Sequence, residues 1–266
     1  MSDTIRERRM NQCPVTVWTE EWRAAGKIIT DDAIDTVLAT IAKDLKSGSR
    51  ADGSDRLRPS GIGNPCGRAQ VFSYLGIQQG PKNPEYEEMA DAGSWLHYKW
   101  QLEGVSAQWL TDIEVPVEIP EWGLRGAMDG LCIDGSVLEL KTVGTAKYQG
   151  LRKAPPVEVW AGPNEEHLRQ VYAYMHAVDS RAASIVYIDR DSNAFREFRV
   201  EWDQSYFDAM NETILDLVGH IERKELPVIM PGCRAVMDGT ADSRQKSKFN
   251  FCDYRNTCET ATWGGK

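Results

Sequence analysis

The chain has no apolar run approaching the length of a membrane span, and its polar, charged start does not read as a secretory signal. Membrane insertion and export are therefore not expected. No Gly-x-x-x-x-Gly-Lys-Ser/Thr loop is present, which excludes a recognisable ATPase site. No Cys-x-x-Cys pair occurs, so the strongest signal for a zinc knuckle is missing. Internal repeats, low-complexity tracts and heptad arrays are absent too, which sets aside solenoids and long coiled coils. Positive charge is also in short supply. A net charge of −9 argues against a protein that coats nucleic acid, although metal ions and a local basic groove can offset an acidic bulk.

What remains is ordinary soluble-protein material. The 266 residues suffice for one large domain or two small ones, and 41% hydrophobic with 27% charged residues can build a core under a solvated surface. A cytoplasmic protein is expected. In that compartment the six cysteines suit free thiols or metal ligands better than structural disulfides.

The pattern divides the chain into a helical arm and linker over residues 1–60 and a domain over 61–266, with 232–266 its cysteine-rich end. After a weakly patterned start, Thr30-Asp-Asp opens a helix with Ile34, Val37, Leu38, Ile41 and Leu45 on one stripe. Residues 47–64, rich in Gly, Ser, Arg and Asp, read as a loop. A short helix after Pro65-Cys66 should turn Val71, Phe72 and Leu75 inward, and a longer one should span about 84–103. Strands fit 112–119, 123–133 and 136–143. Residues 147–163 look irregular, Asn164 can cap a helix to about Ala177, strands follow at 183–189 and 194–201, and a helix runs over about 203–223. Pro227, Pro231 and Gly232 then break the pattern. Strands bracketed by helices indicate an α/β fold with a mixed sheet.

The chemistry is concentrated in Gly126-Ala-Met-Asp129-Gly-Leu-Cys-Ile-Asp-Gly-Ser-Val-Leu-Glu139-Leu-Lys141. Asp134-Gly135 between β-rich runs signals a hairpin, because it tolerates the positive φ of a tight turn. Alternation puts Glu139 and Lys141 on one strand face, and the hairpin brings Asp129 towards them. Two carboxylates near one point suit a hard divalent cation, and an adjacent ammonium suits phosphodiester hydrolysis. The bland alternative is a solvated charge pair. Against it, Val137-Leu-Glu-Leu-Lys-Thr-Val143 reads as a buried central strand, where lone charges are costly.

Two helices add polar groups. Gln170 and Tyr174 are one turn apart on a helix whose neighbouring face carries Leu168, Val171 and Met175, and can orient a lysine, a water or a phosphate. Gly93 and His97 are likewise one turn apart; the glycine permits close approach, and a neutral imidazole suits a transition-type metal.

The order of these motifs (a Gly-x-x-x-His helix, a Gly-x-x-Asp strand, a Glu-x-Lys strand, a Gln-x-x-x-Tyr helix) resembles the RecB-like branch of the PD-(D/E)xK nucleases over roughly residues 66–258. The resemblance implies that core fold, with His97, Asp129, Glu139 and the carbonyl of Leu140 around Mg²⁺ or Mn²⁺. It makes Lys141 the catalytic lysine, and Gln170 and Tyr174 its support. Cys66 before the core, with Cys233, Cys252 and Cys258 after it, resembles the iron–sulfur nucleases of that branch, the CRISPR-associated exonucleases and AddB-type recombination nucleases. That layout implies a [4Fe–4S] cluster tying the two ends together. The wide gap between Cys233 and Cys252 departs from the family and leaves Cys233 the least certain ligand. Cys132 or Cys13 is the substitute, although Cys132 suits a small buried hydrophobe better. A four-thiolate zinc site is the alternative cofactor.

By the same resemblance the chain is a DNA exonuclease of a prokaryote or phage-infected cell, acting on single-stranded or end-containing DNA in recombination or repair. A structure-specific endonuclease and a non-catalytic DNA-binding module built on a four-cysteine zinc site are the rivals. Arg68 and the basic residues Arg244, Lys246 and Lys248 are candidate phosphate contacts. Lacking its own ATPase, the chain stands alone or borrows a helicase or recombination partner, and an oligomer is compatible with processive action.

Overall fold

Alternation in the strand Val137–Val143 (β3) organises the molecule. Leu138 and Leu140 enter one apolar cluster and Val137 and Val143 another, so helices must cover both faces of the sheet. The computed structural model describes residues 10–11, 13–47, 55–77, 80, 84–152, 163–243 and 252–263. Five strands, β1 (Leu110–Ile119), β2 (Leu124–Cys132), β3, β4 (Ala182–Asp189) and β5 (Phe195–Glu201), lie side by side in sequence order. Only β3 and β4 run parallel; the other neighbours are antiparallel. The sheet is therefore mixed and flanked by helices, as the sequence pattern indicates.

On one face, α1 (Pro14–Ala24) and α5 (Pro84–Ser106) bring Val15 and Trp100 against Leu138, Leu140, Val186 and Ile188. On the other, α7 (Glu165–Ala177) and α8 (Gln204–Glu222) bring Val171, Met175 and Ile214 against Val137, Ile185 and Tyr187. Between them come α2 (Asp31–Ser47), α3 (Pro59–Ile62), α4 (Gly67–Tyr74) and α6 (Thr145–Arg152), and α9 (Pro231–Met237) follows. Among the described residues no helix is long and apolar enough to cross a membrane.

Several local expectations shift for identifiable reasons. The weakly patterned start contains α1, whose first-turn amides of Val15 and Thr16 donate to the buried Glu197 carboxylate at 3.3 and 2.8 Å. A carboxylate there satisfies amides that have no partner within the helix. Helix α2 turns Ala33 and Val37 inward, leaving Ile34, Leu38 and Leu45 exposed. The bonds of Thr30 to Ser106 and Tyr98 to Asp44 fix that rotation against α5. The segment read as a loop contains α3, and Leu57 pairs with β2 through Gly123 and Arg125. The irregular segment begins with α6, anchored by bonds from the Thr145 hydroxyl to Asp189 and Asp191. Pro231 opens α9 rather than breaking a helix, because the first helical position needs no N–H.

Candidate active site

Strands β2 and β3 pair at only two positions beyond their turn, Gly130↔Leu138 and Leu131↔Val137, and then separate. Gly135 makes that turn at φ +77°, as a tight hairpin requires. The Asp129 carboxylate occupies the mouth of the gap. Its Oδ2 accepts from the Leu140 amide at 2.6 Å, doing for β3 what a backbone carbonyl would otherwise do, and its Oδ1 lies 3.6 Å from His97 Nδ1. Gly93, one turn before His97, leaves room beside Thr142; a Cβ there would sit 3.7 Å from the threonine side chain.

Glu139 is 2% exposed and ion-paired to Lys141 through Oε1. Its Oε2 is buried without a hydrogen-bond partner among the described residues. The Lys141 ammonium also donates to Gln170 Oε1 at 2.9 Å. The amide is oriented by a chain of donors. Tyr174 gives its proton to the Ala127 carbonyl at 2.8 Å, so its oxygen accepts from Gln170 Nε2 at 2.9 Å, which turns Oε1 to the lysine. Both Gln170 and Tyr174 are buried, unlike a surface pair.

The two carboxylates titrate in opposite directions. Burial pushes Glu139 up to about 7, with Asp129 adding to the rise and Lys141 opposing it. For Asp129, burial is outweighed by His97, Lys141 and the Leu140 amide, and its pKa falls below the usual range. Burial likewise works against charge on His97, but the Asp129 and Glu139 carboxylates overcome it and raise its pKa. The arrangement thus favours charge on Asp129 and His97 and opposes it on Glu139. Among the described residues, no three or more His, Cys, Asp or Glu side chains are placed so as to hold one metal ion. Glu139 faces Lys141, and Asp129 faces Leu140 and His97.

Four of the cysteines lie near one another. Cys66 precedes α4; Cys66, Cys252 and Cys258 share an apolar cluster with Phe72 and Tyr254. Burial raises the Cys233 thiol pKa, and the charges that Cys66, Cys252 and Cys258 would carry raise it further. All four are free thiols. Cys132 is different: burial pushes its pKa up to about 12 inside the core, as suits an inert hydrophobe. Cys13 stands at the start of α1, away from that cluster.

No protein-family model matches the chain, and no curated protein matches it. Among solved structures it is similar to the alkaline exonuclease LHK-Exo in complex with dAMP, with a TM-score of 0.48 and 15% identity over 64% of this chain and 89% of that one. A second structure of that exonuclease, from Laribacter hongkongensis, gives 0.44 and 14% over the same shares. SSO0001 gives 0.42 and 18% over 85% of this chain and 95% of that one.

One candidate phosphate contact is corrected. Arg68 is buried, and its guanidinium donates to the carbonyls of Cys258, Pro227 and Ala261 at 3.1, 3.0 and 3.2 Å while lying over Phe72. With its donors directed inward, it clasps the C-terminal tail rather than meeting DNA. Arg244, Lys246 and Lys248 lie outside the described residues.

Three nearby residues escape sequence reading. His167, one turn before Gln170, bonds Tyr187 Oη through Nδ1 at 2.7 Å; burial, then Lys141 and Lys147, depress its pKa to about 3. Glu114 and Gln101 sit beside Asp129, joined by a 2.8 Å bond. Gln101 continues the Gly93, His97 spacing by one more turn, a signal legible in the sequence. Glu114 gives no such signal.

Proposed function

We propose that this chain is a metal-dependent deoxyribonuclease of the PD-(D/E)xK type, working as an exonuclease on single-stranded or end-containing DNA. The carrying observation is the half-buried Lys141 ammonium held between the buried Glu139 and an oriented Gln170, beside the Asp129–His97 pair. Gathering that many charged groups at partly buried positions is costly for stability alone, and such groupings concentrate where a charged substrate arrives.

The donor set fits a divalent cation. Carboxylate oxygens and an imidazole are its ordinary ligands, and the unpartnered Glu139 Oε2 is an open acceptor. We assign His97, Asp129, Glu139 and the Leu140 carbonyl to hold Mg²⁺ or Mn²⁺, with Glu139 turning part-way from Lys141. When bound, such an ion offsets charge growing on the scissile phosphate and makes a nearby water more acidic. Lys141 then orients the attacking water through its ammonium or, as the neutral amine, takes its proton, Gln170 holds the Lys141 nitrogen on line, and Tyr174 keeps the Gln170 amide from turning.

The four cysteines supply the thiolate count of a [4Fe–4S] cube, and we assign one thiolate to it from each of Cys66, Cys233, Cys252 and Cys258. Four thiols that would repel as thiolates are assembled where a polyvalent cationic core relieves the repulsion. Its role is to join the tail to α4; no catalytic step passes through it.

End-labelled linear and circular single strands, each with Mn²⁺ or EDTA, test the reading. Metal-dependent loss of mononucleotides from the linear strand alone is expected, and E139Q and K141A should abolish it. Cleavage of the circle would make the enzyme an endonuclease, and inertness of the well-folded, metal-loaded protein on both would leave a DNA-binding module.

A further inference from the structure

Tyr187 is in register with Lys141 on the adjoining parallel strand, so the two side chains leave one face of the sheet from backbones about 4.8 Å apart. It stands on the β4 side of the lysine, away from Asp129 on β2. The Asn164 amide donates to Tyr187 Oη at 3.1 Å, and His167 Nδ1 lies 2.7 Å from the same oxygen. Tyr187 is fully buried, and among the described residues its hydroxyl meets no other acceptor, so the phenolic proton goes to Nδ1. Burial, then the charges of Lys141 and Lys147, keep the imidazole neutral. A neutral ring that accepts at Nδ1 carries its own proton on Nε2. That nitrogen is on the other edge of a ring that is only partly buried, and among the described residues it has no partner. The fold therefore fixes a tautomer whose donor is left over, within the field of two ammonium groups.

We propose that His167 is a phosphate-binding residue of the site, its Nε2–H donating to a non-bridging oxygen of the DNA strand on the β4 side of Lys141. The inference deepens the nuclease reading and rests on it. Lys141 and Lys147 draw an anion to this place, and the uncharged imidazole gives it direction without adding a third cation to repel them. Tyr187 is the positioning residue: it touches no DNA, and it sets the tautomer through Nδ1.

Amide replacements separate the two ring nitrogens, because asparagine places its amide near the position of Nδ1 and glutamine near that of Nε2. H167N keeps an acceptor for Tyr187 and loses the outer donor; H167Q does the reverse. The test is binding of a labelled single strand to the full chain, followed by fluorescence anisotropy in EDTA and again with Ca²⁺, with melting temperature as the check on folding. H167N should bind about tenfold or more weakly, the loss expected for one hydrogen bond to a charged oxygen, while melting near wild type. H167Q should stay closer to wild type in affinity although it melts lower. A penalty in H167N that needs a terminal phosphate on the strand assigns the contact to the strand end; one that persists without it assigns an internucleotide phosphate. Histidine ¹⁵N spectra should show the proton on Nε2 in wild type and a mixture of tautomers in Y187F. If H167N binds as well as H167Q or better, His167 merely completes Tyr187, and the contact is overturned while the nuclease reading stands. A wild-type ring with its proton on Nδ1 overturns it equally. Wild type that binds no strand in either buffer removes both.

Discussion

Among the described residues Lys141 bonds Glu139 and Gln170, and only Glu139 is charged, so substituting the lysine acts first through that carboxylate. Glu139 is held at about 7, above its ordinary 4.5, and binds its proton more tightly folded than unfolded. Its contribution therefore falls as pH rises between those values and is lowest above 7. Without the ammonium the folded pKa climbs further, and the decline continues into the alkaline range. In EDTA, K141M and wild type should melt at similar temperatures near pH 5 and separate towards about pH 9. His97, also raised, contributes fully below its ordinary 6.5 and loses that contribution as pH rises through its folded value. Lys141, the smallest influence on it, opposes the rise, so K141M offsets only a little of the difference there. A melting gap that stays constant with pH would show that Lys141 does not sustain the Glu139 charge. Tyr174 acts one step further back. Y174F should lower the rate of DNA cleavage by about tenfold or more while Mn²⁺ affinity stays put, because only the Gln170 orientation is released. Equal loss in metal binding would place Tyr174 among the groups that shape the metal site instead.

At the scale of elements, helix α7 is located by its neighbour α3. A Cβ on Gly63, just past α3, would fall 2.3 Å from the Glu166 carbonyl oxygen in the first turn of α7. Backbone cannot yield as a side-chain tip can, so G63A must shift the helix that carries Gln170 and Tyr174. A destabilisation of about 1–3 kcal/mol is expected from such overpacking, with cleavage lost out of proportion to unfolding. Denaturant midpoints and rates on one preparation check this; full activity at normal stability would mean α7 is not set by that contact. The same region shows where sequence reading stops. The Asp134-Gly135 turn, the Glu139–Lys141 alternation and the Gln170–Tyr174 spacing are local periodicities, and each is visible without coordinates. Residues 55–64 carry turn-forming composition, yet Leu57 joins the sheet and Gly63 meets α7, contacts made across more than sixty positions. Two apolar stripes one residue apart compete on α2, and packing against α5 selects Ala33 and Val37. Glu114 resembles any polar residue of an alternating strand; its left-handed backbone and its opposition to Asp129 exist only in the folded sheet.

For the whole molecule, the question is what keeps the C-terminal tail on the body. Residues 252–263 contribute little to the main core, and their apolar contacts collect around Phe72 and Tyr254. Arg68 supplies a second tie through three carbonyls, two from the tail and one from Pro227. The four thiols supply a third only if they share a metal core, since no disulfide joins them. Protein purified without oxygen should therefore be brown and carry about four irons and four sulfides per chain, and serine at Cys66, Cys233, Cys252 or Cys258 should remove most of both. One zinc per chain without sulfide would replace the cluster by a zinc site. The two remaining ties are distinguishable, because R68M leaves every thiol in place but abandons buried carbonyls. It should bleach in chelator about tenfold faster than wild type, and R68K should not restore it, because an ammonium cannot match a fork that reaches three oxygens at once. If R68M and wild type bleach together, the metal core alone holds the tail, and the arginine merely fills space beneath it.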